Sequence, residues 1–417
     1  MSDAEDCFRA KWKLPKRGSP RPFEGLDSKM SHENRMYLLE LFLWQSVRDH
    51  LLRTSNPSEA TVFVIGYTPI MLDWSQPCPR VGDVGARQRA IHDALTGSKW
   101  FRRRNGTDHV FLWTRYNLKP DKALRSLLDS GPMVAVLERS FFMLQRKWPR
   151  AFEAGRVIMM PYVSSGFVDS DVGEGRARHD RSYPHARYFF RGNMKRHGEG
   201  LQREVVLPGL AKMLDKADFK HKKVNVGKDK PTVYTDLLNE TASELRRASI
   251  CPCPEGDSPT TLRPFEALAS GCLPIFMVEK EIIAYDIPFP SLIDWDSIAL
   301  FVRSMQDIGA CQNGLKETFL VLDSLGGPAS SREVAERLER MRVLGKEVFY
   351  RHFSFLRNPE GVVSSMLFEA RELLRRGFVH NKYQPQLRHK VANEPAQRDR
   401  DKQMQHLKGV DVHSGDM

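Results

Sequence analysis

The sequence contains no apolar run long enough to cross a bilayer. The longest, Met36 to Val47, is interrupted by Glu40 and Gln45, whereas a span needs about 20 apolar residues. The opening MSDAEDCFRAKWK carries early acids and no apolar core, so it reads as no signal peptide. Cysteine is sparse: of six in 417 residues, none forms a CxxC pair and none stands at zinc-ligand spacing with histidine. An oxidised pair involving Cys251, Cys253 or Cys272 stays open. There is no internal repeat, which removes solenoids and propellers. No basic-aromatic RNA motif or recognition helix accompanies the net charge of +12, so charge alone argues for no nucleic-acid partner.

Hydrophobic residues make up 41 % and charged residues 28 % of the chain, an ordinary globular balance. The length suits two cores and a tail. Four short apolar runs (61–67, 109–114, 133–137, 156–163) alternate with stretches of helical spacing (31–52, 83–100, 119–129). Such alternation predicts parallel βαβ units. A second series follows: strands in ARYFFRG, KKVNVG, SICPCP and LPIFM, and helices over 199–214, 234–247 and 261–270. Two long amphipathic helices, 330–353 and 359–376, close the chain. The expected fold is α/β, two doubly wound parallel-sheet domains facing a cleft. The expected boundaries are an extended lead-in (1–30), an acceptor-side domain (31–167), a linker or mobile loop (168–184), a nucleotide-sugar-binding domain (185–330), closing helices (331–378) and a disordered basic tail (379–417).

In such folds ligands sit at the carboxyl ends of strands. Two segments bring chemistry there. In SICPCPEGDSPTTLRPFEALASGCLPIFM a strand leads into a loop with Gly256, and Ser258, Thr260 and Thr261 precede an apolar-periodic run as candidate N-caps. A helix start has unpaired N–H groups and the positive end of the dipole, which suits phosphate. Arg263 in its first turn offers a fork for a diphosphate. Glu266, three residues on, either accepts from ribose hydroxyls or pairs with Arg263. In YFFRGN a strand delivers Arg191 and Gly192 to its carboxyl end. As bland alternatives, the first segment is a strand-loop-helix with a surface ion pair and the second a basic turn.

These residues resemble the exostosin-type glycosyltransferases (glycosyltransferase family 47). SICPCPEGDSPTTLRPFEALASGCLPIFM is similar to the family's strand, Gly/Ser loop, R-x-x-E-A helix and G-C-I-P-V-I. ARYFFRGN, IPFPSLIDWDSIALFV and GTDHVFLWTRYN resemble further elements of the family in the same order. The resemblance implies a GT-B fold, inversion at the anomeric carbon and a nucleotide-sugar donor, usually UDP-linked. It assigns Arg191, Gly192, Gly256, Ser258, Thr260, Thr261, Arg263 and Glu266 to the donor site. It also implies a glycan or glycoprotein acceptor, homo- or hetero-oligomerisation with another transferase, and a Golgi or secretory location, with the cytoplasm as the alternative.

No cofactor or metal is expected, because arginine can neutralise the diphosphate. The three DxD triplets, at Asp169, Asp294 and Asp399, are near the number chance supplies. The base should come from the amino-terminal half, and the candidates are Asp73, His92, Asp108, His109 and Asp169. The family's strand after D-H ends in an acid, whereas here it ends Trp113-Thr114-Arg115. That departure keeps a second reading open: a non-catalytic protein of transferase fold that binds acidic glycans or partners an active enzyme.

Overall fold

The computed structural model describes residues 39–69, 83–114, 120–138, 155–165, 188–192, 219–223, 231–256, 259–302 and 332–377, with Asp6, Arg9, Ala10 and Lys16. The expected linker, the helix over 199–214 and the basic tail lie outside the described residues, as do Asp73, Asp169 and Ser258.

The first sheet is parallel, in the order β1 (Phe63–Ile65), β2 (His109–Leu112), β3 (Met133–Val136), β4 (Val157–Met159). Its strands read as continuous apolar runs because both faces are covered. Val110, Leu112, Met133, Ala135 and Ile158 join one cluster together with Leu39 and Phe42 of helix α1 (Leu39–Arg48). The intervening Phe111, Val134, Val136 and Met159 join another, with Phe101, Leu124 and Leu128. The second cluster is covered by α2 (Val84–Gly97), α3 (Lys99–Arg103) and α4 (Lys122–Ser130). Helices α2 and α4 start where aspartates cap them: Asp83 accepts from the Ala86 N–H at 2.6 Å and Asp121 from the Leu124 N–H at 2.8 Å.

The second sheet, also parallel, has the order β6 (Phe219–Lys223), β5 (Tyr188–Gly192), β7 (Ile250–Cys253), β8 (Leu273–Glu279), β9 (Leu300–Val302). Here β6 begins three residues before the expected KKVNVG strand and overlaps it at Lys222 and Lys223, while 224–227 lie outside the described residues. The stretch FKHKK has no apolar run to mark it, and β6 is an edge strand, where lysines are common. Helices α5 (Pro231–Arg247), α6 (Arg263–Ser270) and the short α7 (Lys280–Ile283) connect the strands. From β5 the chain moves first to β6 on one side and then to β7 on the other. That reversal makes a crevice at the carboxyl ends of β5 and β7. The first sheet has no such reversal.

Helix α6 ends at Gly271, whose φ of +73° suits glycine, with Cys272 N–H donating to the Ala267 carbonyl at 2.9 Å. A disulfide joins Cys251 of β7 to Cys272 beside β8, while Cys253 keeps its thiol and points it at the Cys251 carbonyl. Helix α8 (Arg332–Val348), a π-helical turn at Phe349–Phe353 and α9 (Pro359–Arg376) complete the described fold. Helix α9 returns to the first sheet and packs on α1 and β4. One apolar cluster runs through both sheets, from Leu112 and Met133 to Phe189, Phe276 and Val363.

Candidate functional site

The crevice between β5 and β7 is where the two chemistry-bearing segments meet. The Arg263 side chain spans them: Nη1 lies 2.6 Å from Glu266 Oε2, and Nη2 donates to the Arg191 main-chain carbonyl at 2.6 Å. Glu266 is buried, and Arg263 is the partner of its carboxylate there. Arg263 keeps 16 % of its side chain exposed. Part of its guanidinium fork is therefore fixed while the rest can still reach a ligand. Of the two roles left open for Glu266, the structure shows the pairing with Arg263, and the pair is largely buried rather than on the surface.

The start of α6 corrects one expectation. The N-cap is Leu262, in helical conformation and with no side-chain cap bond, so neither Thr260 nor Thr261 is the cap residue, and Ser258 lies outside the described residues. Thr261 Oγ1 instead accepts the Arg263 N–H at 3.3 Å. Pro264 has no N–H, and the N–H groups of Phe265 and Glu266 both turn to the Leu262 carbonyl at 3.2 Å. The first-turn donors are thus absent or engaged. What remains for an anion is the dipole end and the Arg263 guanidinium. Gly256 and Thr261 are half-buried beside this turn and Thr260 is buried.

Arg191 also differs from expectation. Its guanidinium is 2 % exposed and turns away from Arg263 toward α5. Nη1 donates to the Leu237 carbonyl at 3.0 Å and to Thr241 Oγ1 at 2.9 Å. Nη2 lies 3.0 Å from Glu240 Oε1 without hydrogen-bond alignment, and Nε has no partner among the described residues. The cause is strand parity: residues 189 and 191 share a face, so Arg191 lies with Phe189 against the helix, its guanidinium 5.9 Å from that ring. The residue enters the site through its carbonyl, and Gly192 follows at the strand end.

The described acceptor-side candidates, His92, Asp108 and His109, do not gather at the crevice, and Asp73 and Asp169 lie outside the described residues. His109 opens β2, at the amino end of the strand, opposite the end where ligands sit. It stacks on Phe63, and its Nδ1 lies 2.7 Å from Asp108 Oδ1. Burial pushes its pKa down, against the pull of Asp108. Asp108 is fully buried and bonded to Arg103 at 2.9 Å. His92 is half-exposed on α2, beside Asp93. Asp294 caps a short 3-10 turn and Asp296 pairs with Lys280, which accounts for that DxD triplet.

A residue pair not anticipated is linked to helix α6. Glu138, directly after β3, accepts a hydrogen bond from the Tyr162 hydroxyl. Tyr162, just beyond β4, packs its ring 5.8 Å from Phe265 of α6. Glu138 follows the run 133–137 that the sequence marks as a strand, and Tyr162 lies inside the expected run 156–163, beyond the end of β4 at Met159; that position was the available signal.

The Exostosin GT47 domain matches residues 5–310. The chain belongs to the exostosin GT47 family. It is similar to a probable arabinosyltransferase (ARAD1) of Arabidopsis thaliana, 24 % identical over 263 residues, covering 61 % of this chain and 52 % of that protein. It is also similar to a probable glucuronosyltransferase (Os01g0926600) of Oryza sativa subsp. japonica, 24 % identical over 281 residues, covering 64 % and 62 % respectively. A third relative is a probable beta-1,4-xylosyltransferase (IRX10) of Arabidopsis thaliana, 23 % identical over 291 residues, covering 64 % and 62 %. The matched region thus spans between 52 % and 62 % of these relatives' length. Their names place this exostosin GT47 chain among glycosyltransferases at family level, with three different sugars represented.

Proposed function

We propose that the chain is an inverting glycosyltransferase that moves a sugar from a nucleotide-sugar donor, UDP-linked, to a hydroxyl of a glycan or glycoprotein. The observation that carries this reading is Arg263, held by Glu266 and the Arg191 carbonyl at the one strand-order reversal among the described sheets. The diphosphate lies on Arg263 and the positive end of α6, beside Gly192, Gly256 and the loop with Ser258, Thr260 and Thr261. The two sheets form a GT-B-like pair divided near 168–184, the second unit taking the donor and the first the acceptor. Reaction is a single displacement. The acceptor oxygen bonds to the anomeric carbon as the bond to the diphosphate breaks, and Arg263 stabilises the charge that leaves. Arginine does this without coordination chemistry, so no metal or cofactor enters the scheme. The Cys251–Cys272 disulfide favours an oxidising compartment, in keeping with the secretory pathway and partnership with another transferase there.

Calorimetry with UDP and a panel of UDP-sugars tests the donor site. Wild type should bind UDP, and Arg263→Ala should weaken binding at least tenfold, about 1.4 kcal/mol. A wild type that binds no nucleoside diphosphate sinks the reading. One observation favours the non-catalytic alternative: Thr114 gives both its N–H and its hydroxyl to the buried Glu40, at 3.1 and 3.0 Å. UDP binding without transfer to any glycan would support that alternative.

A further inference from the structure

We propose that Glu138 is the general base of the transfer and that Tyr162 positions it; this rests on the glycosyltransferase reading above. The base must stand at the carboxyl end of a first-sheet strand and face the donor helix. The described residues directly after the four strands are 66–68, 113–114, 137–138 and 160–165. Among them Glu138 is the only carboxylate or imidazole. Of the described candidates, Asp108 and His109 lie at the amino end of β2 and His92 on the outer side of α2, while the buried Glu40 is bonded to Thr114; Asp73 and Asp169 lie outside the described residues.

A direct series of contacts links Glu138 to the donor side. Its Oε1 takes the Tyr162 hydroxyl proton in a hydrogen bond, and the Tyr162 ring lies against Phe265. Phe265 adjoins Glu266 and stands two residues from Arg263. One tyrosine side chain therefore spans the interval between the carboxylate and the donor helix. Tyr162 is 2 % exposed whereas Glu138 is half-buried. The tyrosine is locked in the core, and the carboxylate keeps access to a ligand. A base so placed can approach the acceptor hydroxyl from the side opposite the leaving group. In the step, the acceptor O–H bond breaks and its proton passes to the Glu138 carboxylate. The freed oxygen pair forms the new bond to the anomeric carbon. The pair of the old C–O bond leaves with the nucleoside diphosphate, toward Arg263.

The test is Glu138→Gln, which keeps the size of the side chain and an oxygen for Tyr162. Transfer is followed as UDP release from UDP-glucuronate, UDP-xylose and UDP-arabinose over a glycan array, with UDP affinity measured in parallel. The expected result is a loss of about 10²–10⁴-fold in kcat with UDP affinity within about threefold of wild type. The fall in rate at acid pH expected of wild type should be absent in this variant. Glu138→Asp, which keeps the carboxylate one methylene back, should lose less and retain the acid limb, and it serves if the glutamine variant does not fold. Tyr162→Phe should lower kcat while leaving UDP affinity unchanged. Transfer by Glu138→Gln at the wild-type rate, with the acid limb intact, overturns the proposal. A wild type that binds UDP but transfers nothing defeats the transferase reading itself, and the assignment of Glu138 falls with it.

Discussion

Arg191 and Arg263 look alike in the sequence, each at the carboxyl end of a strand-turn segment, yet they have opposite fates. Arg263 starts a helix at the crevice mouth and keeps 16 % of its side chain exposed. Arg191 is turned by strand parity into the seam with α5. Replacing Arg191 by Met should therefore cost stability, about 1.5–3 kcal/mol for each of its two charged hydrogen bonds, and leave UDP affinity within about threefold of wild type. The Glu240 contact adds little to that sum, because Glu240 is 44 % exposed and water can replace its partner. Denaturant melts and calorimetry on the same variant check both halves, and a tenfold loss of UDP affinity in folded Arg191→Met would return its side chain to the site. At this scale the sequence was half legible. R-x-x-E spacing brought Arg263 to Glu266 correctly. Period-2 alternation from Phe189 would have turned Arg191 inward. For Glu138 the sequence offered only its place after a strand, because its neighbour Tyr162 comes from beyond β4 and Phe265 from helix α6.

At the scale of elements, the strand-loop-helix-strand from Ile250 to Glu279 is bound at its base. The disulfide crosses from β7 to β8 and closes a loop of 21 residues that contains α6. By chain entropy such a loop is worth about 3 kcal/mol. The double variant Cys251→Ser, Cys272→Ser should lose about that much in denaturant melts, and a reducing agent should bring wild type to the same midpoint. If reduction leaves the midpoint where it was, the crosslink does not stabilise this segment. Apolar runs predicted most elements here, and the structure shows what bounds them: Asp83, Asp121 and Asn358 start helices, and Gly271 and Gly377 end them. The misses share a cause. Strand β9 is only three residues long and edge strand β6 reads FKHKK, which has no apolar run, and the start of α6 is set by Leu262, which has no capping side chain.

Across the whole molecule, two histidines are held neutral by burial. The pKa of His109 is lowered chiefly by desolvation, as is that of His352, where Arg351 adds to the effect. In the unfolded chain they titrate near 6.5. Their contribution to stability is therefore present above that value and lost as pH falls below it toward the folded pKa values. Glu369 acts in the opposite sense. Burial raises its pKa despite bonds from Ser291, so its contribution is present below its ordinary 4.5 and fades as pH rises through the folded value. The melting temperature should fall from pH 7.5 to 5.5, and a His109→Gln, His352→Gln variant should lose most of that slope. An unchanged slope in the double variant would show that other groups set it.

The return of α9 to the first sheet has a consequence for how the protein is made. His50, just after α1, bonds to Ser364, 314 positions later, and Phe42 packs on Phe355. At ribosomal speed that gap is roughly 15 to 60 seconds of synthesis. During that interval the apolar faces of α1 and β4 are translated but lack their cover. The amino-terminal sheet therefore waits for the end of the chain, and a nascent protein stalled before α9 exposes that face to chaperones.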